Sequence, residues 1–255
     1  MSQPVPPYPS AHGLLAGKKV LVTAAAGTGI GFAAAKRCVE EGATVVISDK
    51  HERRCAESAS ELGVVGIPCD VTVEDDVQGL IRGAVEALGG LDVVINNAGL
   101  GGEVPLVDMT DDQWSLVMDV TLNGTFRCMR AELQHLYAQG TGGVIVNNAS
   151  VLGWRAQHGQ AHYAAAKAGV MALTRCAAIE AAEHGVRVNA VAPSLAMHPF
   201  LAKVTSEELL AELESREAFG RAAEPWEIAN VMVFLASDYS TYMTGEIVSV
   251  SSQHP

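Results

Sequence analysis

Tyr163 and Lys167 stand four positions apart in "HYAAAK" (162–167), with only alanines between them. On a helix that spacing puts both side chains on one face, one turn apart. A tyrosine hydroxyl has an ordinary pKa of about 10 and is a poor base near neutrality. An ammonium beside it favours the phenolate and lowers that pKa, so the hydroxyl can trade a proton. Lowering it by ~3 takes ~4 kcal/mol of differential interaction, which a partly desolvated site can supply. Alone, the pair also fits a buried tyrosine beside a lysine that snorkels to water. The rest of the chain decides between the two.

The elements around the pair alternate between strand-length apolar runs and longer helical patterns. Strands are expected at 18–23, 43–48, 64–68, 91–96, 142–148, 186–193 and 246–250. Helices are expected at 29–42, 51–62, 73–88, from Thr110 to 139, across 162–184, near 205 and at 225–237. Thr110 with Gln113, and Thr205 with Glu208, read as capping boxes. The Val/Ile runs lack polar alternation, which means strands covered on both faces and hence a parallel sheet. The fold class is α/β: a single-domain, Rossmann-type doubly wound parallel sheet of about seven strands with helices on both faces. Such folds bind ligands at the C-terminal ends of their strands, where the candidate residues below fall.

Bulk properties exclude several function classes. The 255 residues are 49% hydrophobic and 18% charged, as in an ordered globular domain. The formal charge of −12 and the absence of a basic run argue against a nucleic-acid partner. No apolar stretch reaches the ~20 residues of a membrane span. The Pro-rich start "MSQPVPPYPSAHG" has no signal-peptide pattern and reads as a flexible segment over 1–13, ahead of one catalytic domain at 14–255. Five scattered cysteines without a C-x-x-C fit reduced thiols and a cytoplasmic protein. His158 and His162 stand at i, i+4 without a third ligand, so no metal is expected.

The turn "VTAAAGTGIG" (22–31) follows the first strand and opens the first helix. Gly27, Gly29 and Gly31 permit a tight bend and leave amide hydrogens at a helix N-terminus for a diphosphate. Thr23, Ala25, Gly27, Thr28, Gly29 and Ile30 are therefore cofactor candidates. Asp49, eighteen residues after Gly31 and just past the second strand, suits an adenosine ribose and repels a 2′-phosphate, which favours NAD. Lys50, Arg53 and Arg54 point the other way and keep NADP open. "CDV" (with Asp70 and Val71) and "NNAG" (with Asn97, Ala98 and Gly99) add polar and small residues at the same edge.

Taken in order, the glycine turn, Asp49, "CDV", "NNAG", Ser150, Tyr163-x-x-x-Lys167 and "VRVNAVAP" resemble the short-chain dehydrogenase/reductase family over residues 17–250. The resemblance implies a nicotinamide cofactor and hydride transfer between an alcohol and a carbonyl. It makes Ser150 the donor that polarises the substrate oxygen and Tyr163 the general acid/base. Lys167 then lowers the tyrosine pKa and holds the nicotinamide ribose. Departures from the pattern are informative. Ala24 stands where the family has glycine, in a turn one residue longer. The family's fourth catalytic residue, an asparagine, corresponds to Thr121, seven positions after Trp114. Pro193–Ser194 replaces a proline–glycine, His198 takes the place of a threonine near the carboxamide, and "VSVSSQHP" lacks the usual Asp-Gly-Gly.

Within the family, "NNASVLGWRAQHGQAHYAAAKAG" and "EAFGRAAEPWEIANVM" are similar to actinobacterial dehydrogenases of sterol catabolism acting on a bicyclic indane propionate, as a CoA thioester. Compatible with that likeness, Leu152, Trp154, Leu195, Met197 and Phe200 would give an apolar wall beside the reacting oxygen, with His198 a further substrate candidate and Arg155 placed to meet an acidic tail or a CoA phosphate. Residues 194–218 are expected to cover the substrate. Family members pair the 110–139 and 162–184 helices between subunits, which implies a homo-oligomer, tetramer or dimer. Two other readings stand beside this one: an NADPH-linked 3-oxoacyl or acetoacetyl thioester reductase, and a non-catalytic dinucleotide sensor on the same fold.

Overall fold

The computed structural model describes residues 2–197 and 207–252. Seven parallel strands form one sheet: β1 Lys19–Val22, β2 Thr44–Asp49, β3 Val65–Pro68, β4 Val93–Asn96, β5 Gly143–Asn148, β6 Val186–Pro193 and β7 Ile247–Val250. Their order is β3-β2-β1-β4-β5-β6-β7, so the chain reverses its direction of travel between β1 and β4. The helices are α1 Ile30–Glu40, α2 Glu52–Leu62, α3 Glu74–Leu88, α4 Asp111–Met118, α5 Gly124–Gln139, α6 Ala161–Ala181, α7 Glu207–Ser215 and α8 Pro225–Ala236.

Successive strand residues feed two cores. Val20, Val22, Val45, Ile47, Val93 and Ile95 face the layer holding α1, α2 and α8, with Ala34, Cys55, Ile228 and Met232. The residues between them, Leu21, Val46 and Val94, face α3, α5 and α6, with Leu80, Met129 and Ala178. Both faces are covered, so a period-2 chain reads as an unbroken apolar run. Each fully buried Val, Leu or Ile contributes about 1.5–3 kcal/mol.

The Thr110 capping box forms, with Gln113 N–H donating to Thr110 Oγ1 at 3.2 Å and Thr110 N–H to Gln113 Oε1 at 2.9 Å. The long helix it opens is not continuous, as the sequence pattern implied. A single π-helical turn, Asp119–Asn123, separates α4 from α5. From the start of α5, Thr125 Oγ1 donates back to Thr121 O of this turn at 2.8 Å, and Gly124 lies so close to Val71 that a Cβ would stand 2.7 Å from its methyl. Such bulges cluster at functional sites. The second expected capping box, at Thr205, falls outside the described residues.

Residues 2–13 hold no helix or strand, yet they are tied down. Tyr8 packs edge-on against Trp226 at 5.3 Å and donates to Glu40 Oε2 at 2.7 Å. Buried Glu41 accepts from the N–H groups of His12 and Leu14 at 2.9 and 3.0 Å. No helix among the described residues is long and apolar enough to cross a membrane.

Candidate active site

β5 delivers Asn148 and then Ser150, which caps the short 3₁₀ turn Val151–Gly153 by accepting from Leu152 N–H at 3.2 Å. Tyr163 lies in the first turn of α6 and its hydroxyl is hydrogen-bonded with that of Ser150. Lys167, one turn on, is only 2% exposed, with Nζ 5.5 Å from the Tyr163 ring centroid. That ammonium donates to the Asn148 carbonyl at 2.5 Å. The loop after β4 forms the facing wall. A Cβ on Gly99 would stand 3.2 Å from Lys167 Nζ, and one on Gly101 would stand 3.4 Å from the Tyr163 ring. The three side chains therefore share one compartment.

The electrostatics differ from the sequence expectation. Burial pushes the Tyr163 hydroxyl up to about 12, and the Ser150 hydrogen bond offsets only part of that rise. Burial also pulls Lys167 down to about 8, because an enclosed ammonium loses its hydration. The lysine reaches the Asn148 carbonyl instead of the phenol oxygen. The resting pair is thus a neutral phenol beside a weakened cation, and not an acidified tyrosine.

Thr121 is fully buried on the π turn, and its hydroxyl is engaged by Leu100. It donates to Leu100 O and accepts from Leu100 N–H, both at 3.0 Å. Its proton is committed to holding the loop that passes Lys167.

The glycine turn sits over the ends of β1 and β4. Ala24 adopts φ +49, and Gly27 adopts φ +93. Ala25 N–H donates to Ser48 O at 2.9 Å, and Gly27 N–H donates to Ser58 Oγ of α2 at 3.0 Å. Buried Thr23 accepts from Asn97 N–H at 3.0 Å. Asn97 Nδ2 donates to Ala24 O and Asn148 Nδ2 donates to Asn97 Oδ1, each at 2.9 Å. A chain of contacts therefore runs from the turn through Asn97 and Asn148 to Lys167. The start of α1 has no side-chain cap at Gly29 and no acid in its first turn, and a Cβ on Gly29 would meet nothing within 4 Å. Exposed Thr28 and part-buried Ile30 flank it. This is a cradle for an anion.

Asp49 closes β2, buried, with Oδ1 accepting from His51 N–H at 2.9 Å. Burial raises its pKa against the pull of Arg54 at 3.9 Å and of Lys50. Lys50 reaches Asp70 Oδ2 at 3.6 Å, and Asp70 accepts from Thr72 N–H and Oγ1 at 3.0 and 2.8 Å. Burial opposes these contacts, but together they hold the Asp70 carboxyl below its usual range. Val71 is buried and Ala98 packs against the second core. The open turn, the carboxylate at the β2 end and the glycine beside Lys167 fit a dinucleotide.

At the same edge, Pro193 pairs with Val250, and Ser194 N–H donates to Val250 O at 3.1 Å. Leu152 and Arg155 are part-buried, Trp154 is 50% exposed, and Leu195 and Met197 leave β6 along this edge. His198, and residues 198–206 of the expected 194–218 cover, lie outside the described residues. Two residues escaped sequence reasoning, Asn148 and Ser58. A signal for Asn148 was present: "INNAG" and "VNNAS" double an asparagine at two strand ends.

A family model described as Enoyl-(Acyl carrier protein) reductase matches residues 24–252. A crystal structure of a short chain dehydrogenase from Mycobacterium smegmatis superposes with a TM-score of 0.89 at 57% identity, covering 99% of each chain. The chain belongs to the short-chain dehydrogenase/reductase family. As a member it is an NAD(P)-dependent oxidoreductase. A relative in Mycobacterium tuberculosis, 63% identical over 250 residues and covering 96% of this chain and 95% of its own, is the (5R,7aS)-5-hydroxy-7a-methyl-1-oxo-2,3,5,6,7,7a-hexahydro-1H-indene-carboxyl-CoA reductase. That bicyclic CoA substrate agrees with the narrower likeness drawn from the sequence. The 3-oxoacyl-[acyl-carrier-protein] reductase FabG of Thermotoga maritima is 36% identical, covering 92% of this short-chain dehydrogenase/reductase and 97% of its own length.

Proposed function

We propose that the protein interconverts a ketone and a secondary alcohol on a bicyclic ring carried as a CoA thioester, using NAD(H). The observation that carries this reading is the hydrogen-bonded Ser150–Tyr163 hydroxyl pair with Lys167 one turn away. Two hydroxyls that meet each other can both meet one substrate oxygen. As a carbonyl gains negative charge, Ser150 Oγ donates to that oxygen and Tyr163 Oη gives it a proton. Lys167 then stabilises the phenolate left behind.

The nicotinamide dinucleotide supplies the hydride when bound. The glycine turn, with Thr23, Ala25, Thr28, Gly29 and Ile30, would hold its diphosphate, and Asp70, Val71, Asn97, Ala98 and Gly99 its flanks. Lys167 would hold the ribose nearest Tyr163, and Pro193–Ser194 the nicotinamide end. Asp49 is fixed at the strand end and disfavours a 2′-phosphate, which supports NAD over NADP. Thr121 positions Leu100 and with it the loop beside Lys167. Leu152, Trp154, Leu195 and Met197 would line the ring, and Arg155 would meet the acidic end of the thioester. The five cysteines are free thiols, which suits the cytoplasm. Exposed Leu116, Phe126 and Ile179 on α4, α5 and α6 support a homo-oligomer.

The test is turnover of bicyclic keto-CoA thioesters and of 3-oxoacyl thioesters with NADH and with NADPH, for wild type and Tyr163→Phe. The reading requires the bicyclic ketone and NADH to be preferred and Tyr163→Phe to lose about 10²–10⁴-fold. Full turnover by Tyr163→Phe overturns it. Preference for 3-oxoacyl thioesters with NADPH would establish the thioester-reductase alternative.

A further inference from the structure

The chain leaves β6 at Ser194 and comes back against its own departure point at Ala223. Ala223 N–H donates to Leu195 O at 2.8 Å, Met197 N–H donates to Ala223 O at 2.9 Å, and Ala196 and Ala223 form a parallel bridge. A second stitch is made by a side chain. Glu217, just past α7, is only 4% exposed. Its Oε2 accepts from Ser252 Oγ at 2.8 Å and from Ser252 N–H at 3.3 Å. Its Oε1 faces Leu195 N–H at 3.5 Å, the outer limit of a hydrogen bond. Ala218 N–H donates to Ser252 O at 2.7 Å, and Phe219 O accepts from Gln3 N–H at 2.8 Å.

Enclosing a carboxylate is unfavourable unless hydrogen bonds or an opposite charge replace its water. Among the described residues no cation forms an ion pair with Glu217. Its two oxygens gather N–H and O–H donors from two other segments, the β6 exit and the C-terminal tail. The tail is also where the sequence departs from the family's Asp-Gly-Gly, and Ser252 is the residue that supplies two of those donors.

We propose that Glu217 is a positioning residue for the substrate. By joining the end of α7 to Ser252 and to Leu195, it fixes the Leu195–Met197 wall at the sheet edge that carries Ser150. Glu217 acts through those residues and not on the reacting atoms. The proposal rests on the reading of that wall as part of the substrate site.

The experiment compares wild type, Glu217→Gln, Glu217→Ala and Ser252→Ala by steady-state kinetics, NADH binding by fluorescence, and amide hydrogen exchange. Glu217→Gln keeps the side-chain volume but turns an amide toward donors. The expected result is a rise in KM for the ketone of about tenfold, with kcat and NADH affinity within about threefold of wild type. Exchange should quicken by about tenfold at 194–197, 217–223 and 250–252 and not elsewhere. Unchanged KM and exchange in folded variants overturn the proposal. A joint fall in kcat and NADH affinity also overturns it, by making Glu217 a residue of general stability. Should Glu217→Ala fail to fold, Ser252→Ala carries the same test with one donor removed. The exchange comparison needs no substrate, so it judges the clasp even where the functional reading fails.

Discussion

Replacing Glu132 by glutamine should make the protein more stable at alkaline pH. Asn96 and Asn147 face each other in register across β4 and β5. Asn96 Nδ2 donates to Glu132 Oε2 at 2.9 Å and to Asn147 Oδ1 at 3.1 Å, and Asn147 Nδ2 donates to Thr174 Oγ1 at 2.9 Å. Glu132 and Thr174 are wholly enclosed, and Glu132 Oε1 and Asn96 Oδ1 are buried without a partner among the described residues. Burial pushes the Glu132 carboxyl up from 4.5 to about 8, while its Asn96 hydrogen bond pulls slightly the other way. The folded protein therefore keeps a proton on Glu132 that the unfolded chain has released.

The sign follows from proton counting. Between the unfolded value of 4.5 and the folded value of about 8, the native state binds one more proton. Stability then falls as pH rises, by ~1.4 kcal/mol per pH unit, and the loss saturates near ~5 kcal/mol above the folded pKa. Glutamine has the same size, keeps an acceptor for Asn96 and cannot ionise. Urea unfolding of both proteins, followed by tryptophan fluorescence at about pH 5 and about pH 8, isolates the effect because other titrating groups cancel. The Glu132→Gln protein should gain on wild type by ~3–4 kcal/mol across that interval, or roughly 10 °C in Tm for a chain of this size. Parallel pH profiles would refute the reasoning, since they require Glu132 to ionise equally in both states.

Asp49→Ser should raise the NADPH-to-NADH ratio of kcat/KM by about 10–100-fold, because the carboxylate that repels a 2′-phosphate is gone and Arg54 is released from its 3.9 Å ion pair with Asp49. An unchanged ratio would remove Asp49 from cofactor choice. Gly31→Ala should lower Tm and weaken NADH binding about tenfold, since the added methyl would overlap the Ala24 carbonyl and the Asn97 amide. Unaltered NADH titrations would contradict that. Ile179, 80% exposed on α6, should be an oligomer contact, so Ile179→Glu should reduce the mass found by light scattering. A monomeric wild type would refute this.

Strand and helix positions were legible because they depend on local periods, two and 3.6, and on caps such as Thr110 with Gln113. The order glycine turn, Asp49, Ser150, Tyr163, Lys167 was equally legible, since residues near strand ends converge in any sheet of this kind. The state of the tyrosine was not. Spacing alone put a cation beside a phenol, but enclosure decided that the phenol stays neutral and that Lys167 turns to Asn148 O. The Asn97–Asn148 contact joins residues 51 apart, and the Glu217–Ser252 contact residues 35 apart. Neither exists until strand order makes β4 and β5 neighbours and brings the tail to the end of α7. The sequence by itself thus determined which elements form and which chemical groups they carry to one edge. Only the tertiary structure decided which groups meet there and how dry they become, because hydrogen-bond partners and desolvation belong to the packed whole and not to any local stretch.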